Sequence, residues 1–295
     1  MAKVVFVHGV GRQYLSEDSL ARDTVPELLG GIRLAGGPVP EPSDVAVAFY
    51  GDLFRPSGTR AGPEPDYDAA DIEDDDEFAL LMAWWAEAAR TDPDVPAPDE
   101  PGTRGPAGYT LSRALRLRTV RAALDALTGA RCLRGVLDRT LIGDLKQVTA
   151  YFRDEDVRKA ARARVAAHIG PETRVVVAHS LGTVIAYEAL CETSYGDGEV
   201  RAFVTLGSPL GMGALVHDRL RPPPEDRVGA WPEPVRDWTN IAEETDIVAV
   251  VKELRPLFGP ERITDLPVHN GARMHDAVRY LTAVETGRAV AAGLR

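Results

Sequence analysis

Short apolar runs recur along the chain, and each run is followed by glycine, proline or polar residues. The runs lie at residues 3–7, 44–50, 173–177, 201–206, 235–241 and 262–268. Valine-rich runs of this length are typical of strands, and a continuous β-branched run such as 175–177 is typical of a strand buried on both faces. We therefore predict a mostly parallel sheet of about six strands.

The segments between these runs have the spacing of amphipathic helices. We predict helices at 11–34, 78–89, 110–130, 138–169, 181–190 and from 275 onward. A break near Asp154 is expected in the long segment. Strands that alternate with helices predict an α/β fold whose doubly wound sheet is covered on both faces.

One part of the chain interrupts the alternation of strands and helices. Residues 55–137 hold a Pro/Gly-rich loop, an acidic run at 71–77 and a helical segment with Trp84 and Trp85. We predict that 55–137 form an inserted helical cap, or lid, and that 1–54 and 138–295 form the core of the domain. The acidic run is interpreted as the first turn of the next helix rather than as a metal site, because carboxylates are favourable at a helix N-terminus.

The helix predicted at 110–130 is basic around an apolar stripe. The stripe is Leu117, Val120, Leu124 and Leu127, and the basic residues are Arg113, Arg116, Arg118 and Arg121. A cationic amphipathic helix can lie on an anionic membrane. We favour the alternative, in which the leucines pack onto the rest of the cap and the arginines pair with its acidic loop.

The run at 173–177 leads into the sequence Ala-His-Ser-Leu-Gly at 178–182. A nucleophilic serine on a sharp strand-to-helix turn needs small residues two positions before and two positions after it. Ala178 and Gly182 meet that need around Ser180, although the strict pattern has glycine at both positions. Taken alone, the sequence also fits an ordinary strand-to-helix junction that happens to contain a serine.

A second turn follows the first strand and carries His8, Gly9, Val10 and Gly11. A glycine-rich turn at the end of a parallel strand can present a backbone N–H to a developing oxyanion, and the N–H after a nucleophilic serine supplies another donor. Val10 and Leu181 would provide these two N–H groups.

The sequences FVHGVG, VAHSLGTVIAYEAL and GSPLG together resemble the α/β-hydrolase superfamily, in particular its serine esterases and lipases, which include relatives of the GPI inositol-deacylases. The resemblance covers residues 3–12, 173–190 and 202–211. It implies a reduced α/β-hydrolase fold, because the antiparallel edge strands of larger members would be missing. It also implies a catalytic triad in the chain order serine, acid, histidine.

The acid of this triad is expected in a loop after a late strand. Asp246 follows the run at 235–241 and is our choice. Asp237 is disfavoured because it lies inside that run. The alternatives that stay open are Glu243, Glu244 and Asp265.

The histidine must follow the acid, which leaves His269 and His275. We favour His275, because it lies between a loop and a helix, where its side chain can reach the strand ends. His8, Gly9, His179, Ser208 and Pro209 are expected to shape the turns or the pocket. Pro209 prevents Ser208 from adopting the geometry of a nucleophile.

Charge and cysteine content narrow the possible partners. The formal net charge is −11, which argues against a nucleic-acid partner because phosphate binding needs a positive field. Cys132 and Cys191 have no partner at metal-ligand spacing, so we expect neither a metal nor a disulfide framework. The strand that starts at Lys3 occupies the place of a signal peptide, and we expect a cytoplasmic protein without a transmembrane helix.

The expected function is hydrolysis of a carboxylic ester, of a small molecule or a lipid, through an acyl-serine intermediate and without a cofactor. The alternatives are a thioesterase or acyltransferase with the same site, and a catalytically silent hydrolase fold that serves as an interaction module. Trp84, Trp85 and the leucine stripe predict medium or long acyl chains and possible lipid contact through the cap. A rigidly packed cap with a small pocket is the competing prediction.

Overall fold

The computed structural model describes residues 2–55, 65–98, 113–130, 136–192, 200–259 and 261–295. In these parts of the chain six strands form one sheet. The strands are β1 (Val4–Val7), β2 (Val45–Ala48), β3 (Val175–His179), β4 (Val200–Leu206), β5 (Val235–Glu243) and β6 (Ile263–Val268). Every neighbouring pair is parallel, and the order is β2-β1-β3-β4-β5-β6. The predicted α/β fold is confirmed.

The strand order reverses between β1 and β3. From β1 the chain moves outward to β2 on one side, and it later returns to β3 on the other side. Val7 at the end of β1 is paired with Ala178 near the end of β3, so the two turns that follow these strands lie next to each other. Ligand sites of open α/β sheets lie in the crevice at such a reversal.

Helices cover both faces of the sheet. They are α1 (Glu17–Leu34), α2 (Asp75–Thr91), α3 (Arg113–Gly129), α4 (Asp138–Arg153), α5 (Glu155–His168), α6 (Leu181–Glu192), α7 (Arg255–Phe258), α8 (Ala277–Thr282) and α9 (Val284–Leu294). Val4 and Phe6 of β1 face the cluster that includes residues of α1, α8 and α9. Val5 and Val7 face the cluster that includes residues of α2 to α6. This alternation explains why β1 is apolar at every position.

Side-chain caps set two helix boundaries. Asp154 separates α4 from α5, as predicted, and accepts hydrogen bonds from the N–H groups of Asp156 and Val157. Asp74 caps α2 in the same way, and residues 75–77 of the acidic run form its first turn, so the helix begins three residues before the predicted start at 78. Within the described residues no group of His, Cys, Asp and Glu side chains is arranged to hold a metal ion.

The prediction of one continuous helix from His275 onward is wrong, because the chain forms α8 and α9 with a break at Ala283. The break lets both helices pack closely against α1. A Cβ atom on Gly287 would lie 2.1 Å from the Gly31 carbonyl oxygen, so the backbones of α9 and α1 are almost in contact. Helix α1 starts at Glu17 rather than near residue 11, because Ser16 forms its capping box.

The cap helices α2 and α3 share one hydrophobic cluster with the sheet. Trp84 and Trp85 of α2 and Leu124 of α3 are buried in it. Arg116 of α3 pairs with Asp75 at 2.5 Å, as the favoured prediction for the basic helix requires. The segments 56–64, 99–112 and 131–135, with Cys132, lie outside the described residues, and the domain boundaries stay a prediction. None of the described helices is long and apolar enough to cross a membrane.

Candidate active site

Ser180 lies between the end of β3 and the start of α6, with a left-handed φ of 53°. Its N–H donates to the carbonyl of Leu206 on the neighbouring strand at 3.0 Å. Gly182 and Gly9 allow the turn around Ser180 to touch the turn after β1. A Cβ on Gly182 would lie 2.2 Å from the His8 carbonyl oxygen, and a Cβ on Gly9 would lie 2.7 Å from the Ser180 Cβ. The sharp turn expected around Ser180 is therefore present, and a side chain at Gly9 or Gly182 would disrupt it.

A chain of hydrogen bonds connects Ser180, His275 and Asp246. His275 Nε2 lies 2.9 Å from Ser180 Oγ, and His275 Nδ1 lies 2.7 Å from Asp246 Oδ2. Because an ionised carboxylate only accepts hydrogen bonds, Nδ1 carries the proton and Nε2 is free to accept the serine proton. The structure thus brings together the three residues chosen from the sequence.

Asp246 is completely buried but remains ionised. Burial alone would raise its pKa, but the charge of His275 and hydrogen bonds from His275, the Tyr280 hydroxyl and the Val248 N–H hold the pKa below its ordinary value. Tyr280 OH donates to Asp246 Oδ2 at 2.8 Å and accepts from the Glu243 N–H at 2.8 Å. Tyr280 was not expected to belong to the site, and it fixes the carboxylate that orients His275.

The alternative residues lie outside this chain of hydrogen bonds. The side chain of His269 is 89% exposed, and its Nδ1 is 3.6 Å from a carboxylate oxygen of Glu243. Glu243 belongs to β5 and accepts a hydrogen bond from the Asn270 N–H. Asp265 accepts from the N–H groups of residues 254 and 255. None of these residues has a hydrogen bond to Ser180 or His275 among those of the described chain.

His8 holds the turn after β1 as a neutral side chain. Its Nε2 accepts from the Tyr50 N–H at 3.1 Å, so the proton lies on Nδ1, which is 2.7 Å from the Gly9 carbonyl oxygen. Burial lowers the pKa of His8 to about 4. Tyr50 stacks on the imidazole at 4.0 Å, and its hydroxyl donates to the His8 carbonyl. These contacts attach the turn to the end of β2.

The two expected oxyanion donors are available. The N–H groups of Val10 and Leu181 have no hydrogen-bond acceptor among the described residues, and both residues line a cavity with Ser180. The next N–H, of Gly11, donates to Gln147 Oε1 on α4 at 3.1 Å. Gln147 is buried and also donates to the Gly143 carbonyl at 3.3 Å. This residue, which the sequence analysis did not identify, fixes the turn from the side of α4.

The remaining predicted pocket residues have different positions. His179 is buried, and burial lowers its pKa well below the ordinary value, so the ring is neutral. Its Nε2 is 3.1 Å from the His275 carbonyl oxygen, which helps to hold the loop that carries His275. Ser208 Oγ bonds to the Thr183 hydroxyl at 2.8 Å and lies behind the cavity wall, whereas Pro209 is part of the wall.

Two cavities meet at Ser180 and His275. The first has a volume of about 80 Å³ and is mainly apolar. It is lined by Val10, Leu80, Trp84, Leu141, Val148, Leu181, Pro209, Met212, Val216, Ile247 and Val248. The second has a volume of about 240 Å³ and includes the polar side chains of Arg12, Thr140 and Asp144. Asp144 borders both cavities, so the cleft has an apolar half and a polar half.

A third cavity, of about 530 Å³, lies around His217 and Pro223 and contains no residue of the hydrogen-bond chain.

No protein-family model, curated protein or solved structure matches the chain. The interpretation of the cleft therefore depends on its own geometry and chemistry.

Proposed function

We propose that the protein is a serine hydrolase that cleaves carboxylic esters through an acyl-serine intermediate, and that it is a reduced member of the α/β-hydrolase superfamily. The observation that carries the proposal is the chain Ser180–His275–Asp246, with distances of 2.9 and 2.7 Å. Beside it are the N–H groups of Val10 and Leu181, which have no acceptor among the described residues. A nucleophile, a base, an orienting acid and oxyanion donors are the groups that acyl transfer requires.

In the first half of the reaction Ser180 Oγ attacks the ester carbonyl carbon while its proton moves to His275 Nε2. Asp246 holds the imidazole in the correct tautomer and stabilises its positive charge. The N–H groups of Val10 and Leu181 stabilise the oxygen that becomes negative. When the tetrahedral intermediate collapses, the bond to the alcohol oxygen breaks and His275 returns its proton to that oxygen.

In the second half a water molecule attacks the acyl-serine carbonyl. His275 takes a proton from this water, and the same N–H groups stabilise the second tetrahedral intermediate. Collapse breaks the bond to Ser180 Oγ, which recovers its proton from His275. The products are a carboxylic acid and the free enzyme.

The order of the residues along the sheet also supports the proposal. Ser180 follows β3, the turn with Val10 follows the neighbouring β1, Asp246 follows β5 and His275 follows β6. All four positions are at the carboxyl ends of parallel strands, so they share one edge of the sheet. Convergence at this edge is expected for a site of an open α/β sheet.

The apolar half of the cleft favours a short acyl group. Its volume of about 80 Å³ is about a third of the volume of the polar half. The sequence predicted medium or long chains from Trp84, Trp85 and the leucine stripe. Trp84 lines the small cavity, but both tryptophan side chains are largely buried in the cluster that joins the cap helices to the sheet. We therefore propose acyl groups of a few carbon atoms.

The proposal is tested with p-nitrophenyl esters from acetate to octanoate, beside the corresponding acyl-CoA thioesters. We expect kcat/KM to be at least about tenfold higher for acetate or butyrate than for octanoate, since a longer chain has no space. Ser180→Ala should lower kcat by a factor of about 10⁴ to 10⁶, while Ser43→Ala, at an exposed serine, should not change it. Activity confined to thioesters would instead indicate a thioesterase, and a Ser180→Ala variant with more than a tenth of the activity would exclude the proposed nucleophile.

A further inference from the structure

The polar half of the cleft contains a carboxyl group that the reaction does not use. Asp144 lies on α4, and one of its oxygens would be 3.2 Å from a Cβ atom on Gly11, so the carboxyl is next to the turn that carries Val10. It borders both cavities together with Ser180 and His275. Its side chain has no hydrogen bond or ion pair among those of the described residues. A half-buried carboxyl without a partner is unusual and calls for a ligand atom or water.

Two further polar side chains face the same space without a described partner. Thr140 lies one turn before Asp144 on α4, so both are on one side of that helix. Arg12 follows the turn at residues 8–11 and is exposed. All three residues line the cavity of about 240 Å³. A hydroxyl, a carboxyl and a guanidinium group are therefore available to one ligand.

The combination of groups limits the chemistry of that ligand. A phosphate or carboxylate would pair with Arg12 but would be repelled by the carboxylate of Asp144. An ammonium group would pair with Asp144 but would be repelled by Arg12. An alkyl alcohol would remove water from both groups and replace none of their hydrogen bonds. A neutral polyol avoids each cost, because its hydroxyl groups donate to Asp144 and accept from Arg12.

We propose that this half of the cleft binds the alcohol part of the ester, and that this alcohol is a small neutral polyol whose hydroxyl groups contact Asp144, Arg12 and Thr140. The inference rests on the proposed ester hydrolysis at Ser180. The volume of this half, about 240 Å³, is about three times that of the apolar half, which suits a polyol between glycerol and a monosaccharide.

The test compares esters that share one acyl group and differ in the alcohol. Monoacetylglycerol, 6-acetylglucose and ethyl acetate all give the same acetyl-serine, so differences in kcat/KM report the alcohol subsite. We expect at least one polyol ester to exceed ethyl acetate by about a hundredfold or more, since sites built to bind a hydroxyl group reject analogues that lack it. Asp144→Leu should lower this ratio at least about tenfold, while Asp125→Asn, at an exposed position of α3, should preserve it.

Arg12→Leu should also lower the ratio of kcat/KM for the polyol ester to that for ethyl acetate. Because Arg12 is exposed, this variant replaces Asp144→Leu in the test if Asp144→Leu does not fold. Equal kcat/KM values for polyol and ethyl esters would overturn the polyol subsite, and so would a ratio that neither variant changes. Hydrolysis of p-nitrophenyl acetate would still support the proposed function in both cases. A preference for alcohols that carry a phosphate or an ammonium group would overturn the polyol subsite too. A wild-type protein without activity on any ester would overturn both proposals.

Discussion

The carboxyl of Asp144 makes the stability of the protein depend on pH in an unusual direction. Burial raises its pKa from 3.8 to about 7, although His275 and Arg12 act in the opposite sense. Well below pH 3.8 the group is protonated in the folded and the unfolded chain. Between the two pKa values only the folded chain keeps the proton, so ionisation favours the unfolded chain, and the free energy of unfolding falls as pH rises.

The size of the effect follows from the two pKa values. Their difference is about three pH units, which corresponds to about 4 kcal/mol at full burial. Asp144 is partly exposed, so solvent screening should reduce this to about 2 kcal/mol. Asp144→Asn removes the charge and keeps the shape. Between about pH 5 and pH 8.5 the stability of this variant relative to wild type should rise by about 1 to 2 kcal/mol.

Urea unfolding followed by tryptophan fluorescence at both pH values measures this difference. Asp125→Asn is the matched control, because it removes an exposed carboxylate, and its stability relative to wild type should change little with pH. If the stability of Asp144→Asn relative to wild type did not change with pH, the pKa of Asp144 would not be raised in the folded protein. A relative stability that decreases as pH rises would show that Asp144 is stabilised as a carboxylate in the folded protein.

Three further variants test the groups around the serine in p-nitrophenyl acetate hydrolysis. His275→Ala should lower kcat by about 10³-fold or more, and His269→Ala should change it less than about threefold; the reverse order would reassign the base. Tyr280→Phe should lower kcat about tenfold and move the acidic limb of the pH–rate profile upward, because Asp246 loses a hydrogen bond that favours its ionised form; an unchanged profile would contradict this role. Gln147→Leu should lower kcat about tenfold with little change in KM, since it releases the turn with the oxyanion donors; an effect on KM alone would contradict it.

The strands and the turn around Ser180 could be predicted because their signals are local. Valine-rich runs predicted β1 and β3, and the small residues around Ser180 predicted its turn. The order of serine, acid and histidine is what the resemblance to the α/β-hydrolases implies. It left few choices for Asp246 and His275, and the structure brings both to Ser180. Their chemical roles stay predictions until they are measured.

The missed features depend on contacts between distant segments. The break at Ala283 follows from the close approach of Gly287 to Gly31 in another helix, which helical periodicity within one segment does not contain. Tyr280 looked like a core residue of an amphipathic helix, and only its position beside Asp246 shows its hydrogen bonds to the site. Gln147 could be assigned only once α4 was known to cross the turn at residues 8–11.

Contacts between distant segments also determine the size of the proposed acyl pocket. The sequence shows that Trp84 and Trp85 are apolar and close together, but it does not show which surfaces they cover. In the structure they pack with α3 and the sheet, and a cavity of about 80 Å³ is left beside Ser180. The length of the acyl chain stays a prediction, which the ester series tests.

Reaction with a fluorophosphonate, followed by peptide mass spectrometry, identifies the nucleophile itself. We expect one covalent adduct, on Ser180, that is lost in Ser180→Ala and forms much more slowly in His275→Ala. A wild-type protein that forms no adduct, or an adduct on Ser208 or any other residue while Ser180 stays unmodified, would contradict the proposed active site.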